Sequence, residues 1–238
     1  MYAIETKNLT KDYKSLRAVD NLNLKINQGE IFGLLGVNGA GKSTTIKMLS
    51  CLSIPTSGDA FLMGNSVVSQ TNEVKKIINI SPQETAVASN LTITENLELM
   101  SGVYGNSKVQ AKKHARDIVT QFHMEEIAGN KARTLSGGWQ RRLSIAMALI
   151  SEPKILFLDE PTLGLDVIAR RQLWQVIRDL KGKITIILTT HYMDEAESLS
   201  DRIGIMSRGK LRAVGTADEI IHMSGEADFE SAFVKEAE

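Results

Sequence analysis

The stretch GVNGAGKS, from Gly36 to Ser43, has the spacing G-x-x-x-x-G-K-S. This spacing is typical of a phosphate-binding loop when it joins a buried strand to a helix. Glycines let backbone N–H groups and the helix N-terminus face an anion, Lys42 balances the β- and γ-phosphate charge, and Ser43 offers a hydroxyl to Mg²⁺. We therefore predict a phosphate loop here; the alternative is a glycine-rich turn without a ligand.

Two acids and a histidine follow later apolar runs. Asp159 and Glu160 end ILFLDE, and His191 follows ITIILTT. Two acids after a strand are, taken alone, more typical of a helix cap. On the same sheet as a phosphate loop, Asp159 could hold Mg²⁺ and Glu160 could direct an attacking water. His191 would emerge at the same edge, where its imidazole could touch a γ-phosphate.

A second turn, in TLSGGWQRRLSIAMAL (134–149), sets two glycines before an amphipathic helix. It has the shape of a phosphate site but carries no lysine. The chain therefore has two turns of this shape, of which only the Gly36–Ser43 loop carries a lysine. The open question is what the second turn binds.

The elements that must position these residues follow from hydrophobic spacing. AIETKNLT and AVDNLNLKI predict an antiparallel β flank, and GEIFGLLG a buried strand. From Thr85 to Ile150 the spacing is helical, with Thr94 as the predicted cap of the first helix. We expect residues 85–150 to form an inserted helical subdomain.

After Pro153, KILFLDE lacks alternation, which predicts a central parallel strand covered on both faces. VIARRQLWQVIRDLKG and KITIILTT complete a βαβ unit, and a hairpin and a helix follow. The predicted fold is α/β, with a mainly parallel sheet built from residues 1–84 and 151–238, an N-terminal antiparallel flank and the helical insertion. All 238 residues would form one domain.

Composition excludes several classes of protein. Lys and Arg total 28, as do Asp and Glu, so no net charge draws the chain to nucleic acid or an acidic membrane. Apolar runs are too short to span a bilayer, and the N-terminus has no signal-peptide pattern. We expect a cytoplasmic protein that reaches a membrane only through a partner. Cys51, among apolar neighbours, is expected to be inert packing.

Taken together, six ordered motifs resemble the ATP-binding cassette of ABC transporters, a P-loop NTPase, over Tyr2 to at least Gly215. The motifs are GVNGAGKST, Gln83 in ISPQE, LSGG, ILFLDEPT, LGLD and TTHYMDEAE. PTLGLD, LTTHYMDEAE, DRIGIMSRGKL and DFESAFVKE further resemble drug and lipid exporters whose cassettes pair with a separately encoded ABC-2 type permease. The resemblance implies an ATPase with ATP and Mg²⁺ as ligands.

Residue roles are implied position by position. Adenine would stack on Tyr13, although stacking tolerates any base; NKAR lacks the aspartate of a guanine-binding motif. The remaining nucleotide-binding positions are Gly36, Asn38, Gly39, Ala40, Gly41, Lys42, Ser43, Thr44, Ser136, Gly137 and Gly138. The implied catalytic residues are Glu160, His191, Lys42 and Gln83, and the metal-binding residues are Ser43, Gln83 and Asp159.

The resemblance also answers the question of the second turn. A lysine-free signature turn would close over the ATP of a second copy, in a head-to-tail dimer with Asp166 at the interface and two shared ATP sites. ATP would hold this dimer closed, and hydrolysis would release it. The resemblance implies that this cycle drives the permease on the inner face of the cell membrane. No nucleic acid is expected as a partner. Trp139 departs from the common L-S-G-G-Q and either removes a hydrogen-bond acceptor or packs under the helix.

Two rival functions are considered. One is a non-transport ATPase switch of the same superfamily that acts on a ribosome or nucleic acid. The chain has neither the long coiled coils of the repair type nor the tandem cassettes of the ribosomal type. The other is a weakly catalytic regulatory module, against which the intact Lys42, Asp159, Glu160 and His191 argue.

Overall fold

The computed structural model describes residues 2–237 as strands and helices around two sheets. The strands are β1 (Tyr2–Tyr13), β2 (Leu16–Leu22), β3 (Lys25–Asn27), β4 (Ile31–Leu35), β5 (Ser57–Leu62), β6 (Asn65–Ser66), β7 (Ile78–Ser81), β8 (Ile155–Asp159), β9 (Thr185–Thr190), β10 (Arg202–Ser207) and β11 (Lys210–Gly215). The helices are α1 (Lys42–Leu49), α2 (Thr71–Ile77), α3 (Ile93–Val103), α4 (Lys108–Gln121), α5 (Gly137–Leu149), α6 (Val167–Arg178), α7 (Met193–Leu199), α8 (Ala217–Ser224) and α9 (Phe229–Ala237). Two short 3₁₀ turns precede α5.

The central sheet has the strand order β11-β10-β4-β9-β8-β7. Its strands pair in parallel except for β11, which forms a hairpin with β10. Every residue of β4, β8 and β9 is buried, as expected for apolar strands covered on both faces. Their carboxyl ends are neighbours, since Leu35 pairs with Thr190 and Asp159 with Thr189. The predicted mainly parallel α/β core is confirmed.

The N-terminal flank is an antiparallel sheet, as predicted. Its order is β2-β1-β5-β6, and β3 also pairs with β1. The segment AVDNLNLKI forms two strands that pair in succession with β1, because Asn23 and Leu24 lie outside the strand pairing and Asn21 takes a left-handed φ of 48°.

The first inserted helix, α3, begins at Ile93, two residues earlier than a cap at Thr94 would place it. Thr92 caps α3, and its hydroxyl accepts from Glu95 N–H while the Glu95 carboxylate accepts from Thr92 N–H. The predicted cap at Thr94 is therefore wrong. Thr92 has the extended backbone that a capping residue needs, whereas Thr94 already lies inside the first turn and donates its hydroxyl to Ala128 O at 3.2 Å.

Two of the three apolar clusters among residues 2–237 cover opposite faces of the central sheet. One joins α3, α4, α5 and α6 to the sheet, and the other joins α1 to the antiparallel flank. Helix α5 packs against β7 and β8 as well as α3 and α4, so it links the predicted subdomain to the core. Cys51 is partly buried and packs on the second cluster. No helix within residues 2–237 combines the length and apolarity required to cross a membrane.

Candidate active site

The loop between β4 and α1 depends on glycine at two points. Gly41 has a φ of 107°, and a Cβ there would lie 2.4 Å from Ala18 O. A Cβ on Gly36 would lie 2.4 Å from Met206 O. Only glycine meets both demands, so the sequence folds into a tight loop that leads directly into the N-terminus of α1.

Lys42 is buried between this loop and the acids of β8. Its ammonium donates to Gly36 O at 2.6 Å and Val37 O at 3.2 Å, and lies 3.5 Å from Glu160 Oε1. Burial lowers the pKa of Lys42, while the carboxylate of Glu160 opposes that shift. The cation is thus held beside the loop by two carbonyl groups and the Glu160 carboxylate.

Asp159 and Ser43 bring two hard oxygen donors together. The Ser43 hydroxyl donates to Asp159 Oδ1 at 3.2 Å, and the Thr189 hydroxyl donates to the same oxygen at 2.5 Å. This donor set fits Mg²⁺, which takes few protein oxygens and completes its shell with water and phosphate. Residues 2–237 hold no cluster of three or more His, Cys, Asp or Glu side chains suited to a metal.

Glu160 is held in an unusual conformation. Its φ is 49°, in the left-handed region, which costs a residue with a side chain on the order of 1–3 kcal/mol. Its N–H donates to Thr189 O and Thr189 Oγ1, at 3.2 and 3.0 Å. Its Oε2 lies 2.7 Å from His191 Nδ1. The carboxylate is therefore fixed from two sides, by Lys42 and by His191.

These groups open onto a pocket of about 570 Å³. Of the residues predicted from the sequence, it is lined by Tyr13, Asn38, Gly39, Ala40, Gly41, Lys42, Ser43, Thr44, Gln83, Glu160 and His191. Gly36 and Asp159 do not line the pocket but hydrogen-bond residues that do: Gly36 O accepts from Lys42, and Asp159 Oδ1 accepts from Ser43. Gln83 has an exposed side chain, and within residues 2–237 no hydrogen bond joins that side chain to Ser43 or Asp159.

Sequence reasoning missed part of the lining. Leu16, Arg17 and Ala18 come from the start of β2, and Arg208 and Gly209 come from the turn between β10 and β11. No local motif marks these positions. They reach the pocket because β2 and β11 pack against each other beside the phosphate loop.

Ser136, Gly137 and Gly138 do not line this pocket. Ser136 and Gly138 face a separate cleft of about 30 Å³, beside Ala169 at the start of α6. A Cβ on Gly138 would lie 2.9 Å from the Ala169 Cβ, so this glycine is also needed for close packing within its own chain. One chain thus places its two glycine turns in different cavities.

Trp139 packs against the core cluster that contains α5, and the Arg142 guanidinium carbon lies 4.4 Å from its ring centroid. This contact favours the packing interpretation of the unusual tryptophan. Asp166, predicted at a dimer interface, is exposed and caps α6: its Oδ1 accepts from the N–H groups of Ile168 and Ala169, each at 2.9 Å.

Two residues that hold the site together carried no sequence signal. Thr189 hydrogen-bonds both Asp159 and Glu160. Arg141 is buried, and its guanidinium donates to Asp159 O and Pro161 O, at 2.8 and 2.9 Å. Both lie far from their partners in sequence, so only the tertiary fold brings them together.

A sequence model of the family described as ABC transporter matches residues 19–163, more than half of the chain. The chain belongs to the ABC transporter family. It is an ATPase cassette of that family, and the matched span contains the phosphate loop, Gln83, the signature turn and both acids of β8.

Named relatives of this ABC cassette include resistance proteins. The chain is 42% identical over 219 residues to the daunorubicin/doxorubicin resistance ATP-binding protein DrrA of Streptomyces peucetius, covering 92% of this chain and 66% of that protein. It is 43% identical over 219 residues to the probable multidrug ABC transporter ATP-binding protein YbhF of Escherichia coli K12, covering 91% of this chain and 38% of that protein. The chain thus spans less than two thirds of the length of these two relatives.

Solved cassettes share the fold. An ATP-binding subunit of an ABC transporter superposes with a TM-score of 0.85 at 28% identity, over 99% of this chain and all of that chain. A dimeric cassette, MJ0796, in a post-hydrolysis state with ADP and Pi, gives a TM-score of 0.79 at 30% identity, over 90% and 98% of the two chains.

Proposed function

We propose that this ABC cassette hydrolyses ATP as a pair of chains and thereby drives a separate membrane permease of an exporter. One observation carries the proposal. Lys42, Asp159, Glu160 and His191 meet around one pocket, while the signature turn of the same chain faces another cavity. A complete site would therefore combine the pocket of one chain with the signature turn of the other.

The pocket residues suit phosphoryl transfer to water. The first-turn N–H groups of α1 and the Lys42 ammonium would bind the β- and γ-phosphates, which offsets their charge without a covalent step. Tyr13, at the mouth of the pocket, would stack on the base. Ser136, Gly137 and Gly138 of the second chain would close over the γ-phosphate.

Glu160 would act as the general base. Its carboxylate, fixed between Lys42 and His191, would orient the attacking water and accept its proton. If His191 Nδ1 carries the proton of the Glu160 hydrogen bond, Nε2 remains the free ring nitrogen for the γ-phosphate side. The left-handed backbone conformation of Glu160 would keep its carboxylate directed at the attacking water.

Ser43 and Asp159 would hold Mg²⁺, with Gln83 reaching the same ion when nucleotide is bound. The ion supplies positive charge that offsets the charge developing on the transferred phosphate. Thr189 keeps Asp159 oriented, since its hydroxyl donates to the carboxylate oxygen nearest Ser43.

The paired arrangement finds support on the surface around Asp166. Val167 and Ile168 are exposed there, at 57% and 71%, and would offer two adjacent apolar side chains to a second chain. The solved MJ0796 cassette is a dimer. The resistance and multidrug names of DrrA and YbhF support export as the direction of transport, through a permease that holds the pair on the membrane.

The decisive test is Glu160→Gln. We expect single-turnover hydrolysis to fall by about 10²- to 10⁴-fold, because the general base is lost. ATP binding should remain, and an ATP-held dimer should accumulate on size-exclusion chromatography. Glu30→Gln is the matched control, since Glu30 is equally buried but bonded to Arg202 at the opposite end of β4. Normal hydrolysis by Glu160→Gln would overturn the assignment.

The permease has a separate test. When the chain is co-expressed with an ABC-2 type permease encoded next to it, it should move to the membrane fraction and stay there in high salt, because a packed interface is screened less than surface charge pairs. Fractionation with ribosomes or nucleic acid would instead favour the non-transport switch.

A further inference from the structure

Arg141 is a buried cation without a carboxylate beside it. Only 4% of the residue is exposed, and within residues 2–237 no acid lies within ion-pair distance of its guanidinium. Instead, Nε donates to Pro161 O at 2.9 Å and Nη2 to Asp159 O at 2.8 Å. Nη1 donates to Pro82 O and, at 3.3 Å, to Gln83 O.

Burial of this kind is costly. It lowers the pKa of Arg141 to about 10, with only longer-range attraction from Asp159, Glu195 and Glu160 opposing the shift. A core position that needed only packing would be filled at less cost by an apolar side chain. The planar guanidinium fork has a distinct property, because it can hold several carbonyl groups in fixed directions at once.

The carbonyl groups that Arg141 holds belong to the two segments that carry chemistry. Asp159 O and Pro161 O lie on either side of Glu160, whose backbone is in the left-handed region. Pro82 O and Gln83 O belong to the segment that brings Gln83 to the pocket. The Arg141 side chain therefore fixes the backbone around Glu160, which is proposed to orient the water, and around Gln83, which is proposed to reach the metal.

The other end of Arg141 belongs to the signature helix. Arg141 follows Gly138 by three positions in α5, so the two lie on one face, about 4.5 Å apart along the axis. A helix is stiff over one turn. A displacement of the signature turn must therefore move the guanidinium relative to β8, or carry the attached carbonyl groups with it.

We propose that Arg141 is a positioning residue that makes the placement of Glu160 and Gln83 depend on the position of this chain's own signature turn. The inference rests on the proposed function. In the pair, the signature turn of one chain closes over the ATP of the other, so Arg141 reports the occupancy of the partner's site to the hydrolytic site of its own chain. The two ATP sites are thereby coupled through a rigid contact.

The test compares two adjacent arginines. Arg142 is also buried in α5, but its guanidinium stacks on Trp139 and contacts Phe122 O at 3.4 Å, away from β8. We would measure Mg²⁺-ATP hydrolysis against ATP concentration for Arg141→Met, Arg141→Lys, Arg142→Met and the wild type. Thermal melting and ATP-held pairing would be recorded for each.

For Arg141→Met we expect kcat to fall by about 10- to 100-fold through misplaced catalytic groups, with KM for ATP within about threefold of wild type. The Hill coefficient should fall to 1. Arg141→Lys keeps the charge but loses the fork, and should be intermediate in both quantities. Arg142→Met should lose less of the wild-type kcat and Hill coefficient than Arg141→Met, even if its melting temperature falls more.

Each other outcome has a defined meaning. A wild-type chain that neither hydrolyses ATP nor pairs in ATP overturns the proposed function itself. A wild-type chain that does both, while Arg141→Met keeps kcat and the Hill coefficient, overturns only the role of Arg141. Equal losses in Arg142→Met also overturn it, since they show general packing damage. Should Arg141→Met not fold, Arg141→Lys decides alone, and wild-type behaviour overturns the role.

Discussion

The phosphate loop and the signature turn each begin a helix, yet they differ in how far a single chain completes them. Around α1, Lys42, Asp159 and Glu160 are buried and hydrogen-bonded to one another or to the loop. At α5, Ser136 is exposed, and its side chain accepts no hydrogen bond from the helix. The polar groups at the phosphate loop are bonded within their own chain, whereas the Ser136 hydroxyl at the signature turn remains available to a ligand or a second chain.

The contrast is not caused by backbone conformation. Ser107, which begins α4, has φ −62° and ψ 159°, and Ser136 has φ −63° and ψ 160°. Ser107 forms a capping box with Gln110 three residues later. The matching position after Ser136 is Trp139, which has no acceptor to return the bond. The tryptophan thus removes the return bond to the Ser136 N–H, and the Ser136 hydroxyl accepts none from the helix. This comparison yields four predictions.

The largest effect concerns the sharing of sites. Lys42→Ala damages the phosphate loop, and Gly137→Asp places a carboxylate at the signature turn, where the structure leaves space for a side chain. Gly138→Asp is unsuitable, because Ala169 of the same chain occupies that space. Each variant alone should neither pair in ATP nor hydrolyse it. Equal mixing should restore ATP-held pairs, because one intact site is rebuilt.

ATP-dependent association of two differently tagged chains is the measurement for this mixing experiment. Gly137→Asn is the neutral control and should pair by itself, since it adds similar bulk without charge. If mixing never exceeds either variant alone while wild-type chains pair, the signature turn serves its own chain.

The next effect separates the two adjacent glycines of the turn. Gly138→Ala should lower the free energy of unfolding by about 1–3 kcal/mol, because its Cβ would overlap Ala169. Gly137→Ala should instead raise it by about 0.5–1 kcal/mol, because alanine is favoured within a helix and nothing lies within 4 Å. Denaturant unfolding without nucleotide gives both values. Similar values would contradict the close packing of α5 on α6.

Variants of Asp166 can separate its role as the cap of α6 from its predicted role at the dimer interface. Asp166→Ala should lower the free energy of unfolding by about 0.5–2 kcal/mol, since two N–H groups of α6 lose their acceptor. Asp166→Asn keeps an acceptor and should be close to wild type in stability. Reduced ATP-held pairing in the asparagine variant alone would locate the carboxylate charge at the interface.

The smallest effect concerns Glu195, which accepts from the Trp174 indole at 3.1 Å and joins α7 to α6. Burial raises the pKa of Glu195 above its ordinary 4.5. The unfolded carboxyl therefore ionises first, and the wild type loses stability as pH rises from 4.5 through the folded pKa. Glu195→Gln does not titrate. Its melting temperature relative to wild type should rise across that window and then level off; a constant difference would contradict the burial.

Much of the fold could be predicted because its signals are local. The uninterrupted apolar runs before Asp159 and His191 predicted central strands, and the glycine spacing predicted the phosphate loop. The cap of α3 was misplaced by two residues, since Thr92 and Thr94 are chemically identical and only the backbone angles distinguish them. The roles of the predicted site residues in catalysis and pairing stay predictions for the variants above.

The sequence by itself determined the phosphate loop, the two acids and the family, because these depend on residue types at fixed short spacings. The tertiary structure alone decided that Thr189 orients Asp159 and that Arg141 joins the signature helix to Pro82 and Pro161. These contacts cross 20 to 59 residues of chain. Such hydrogen bonds depend on how strands and helices pack, a property that no local spacing encodes.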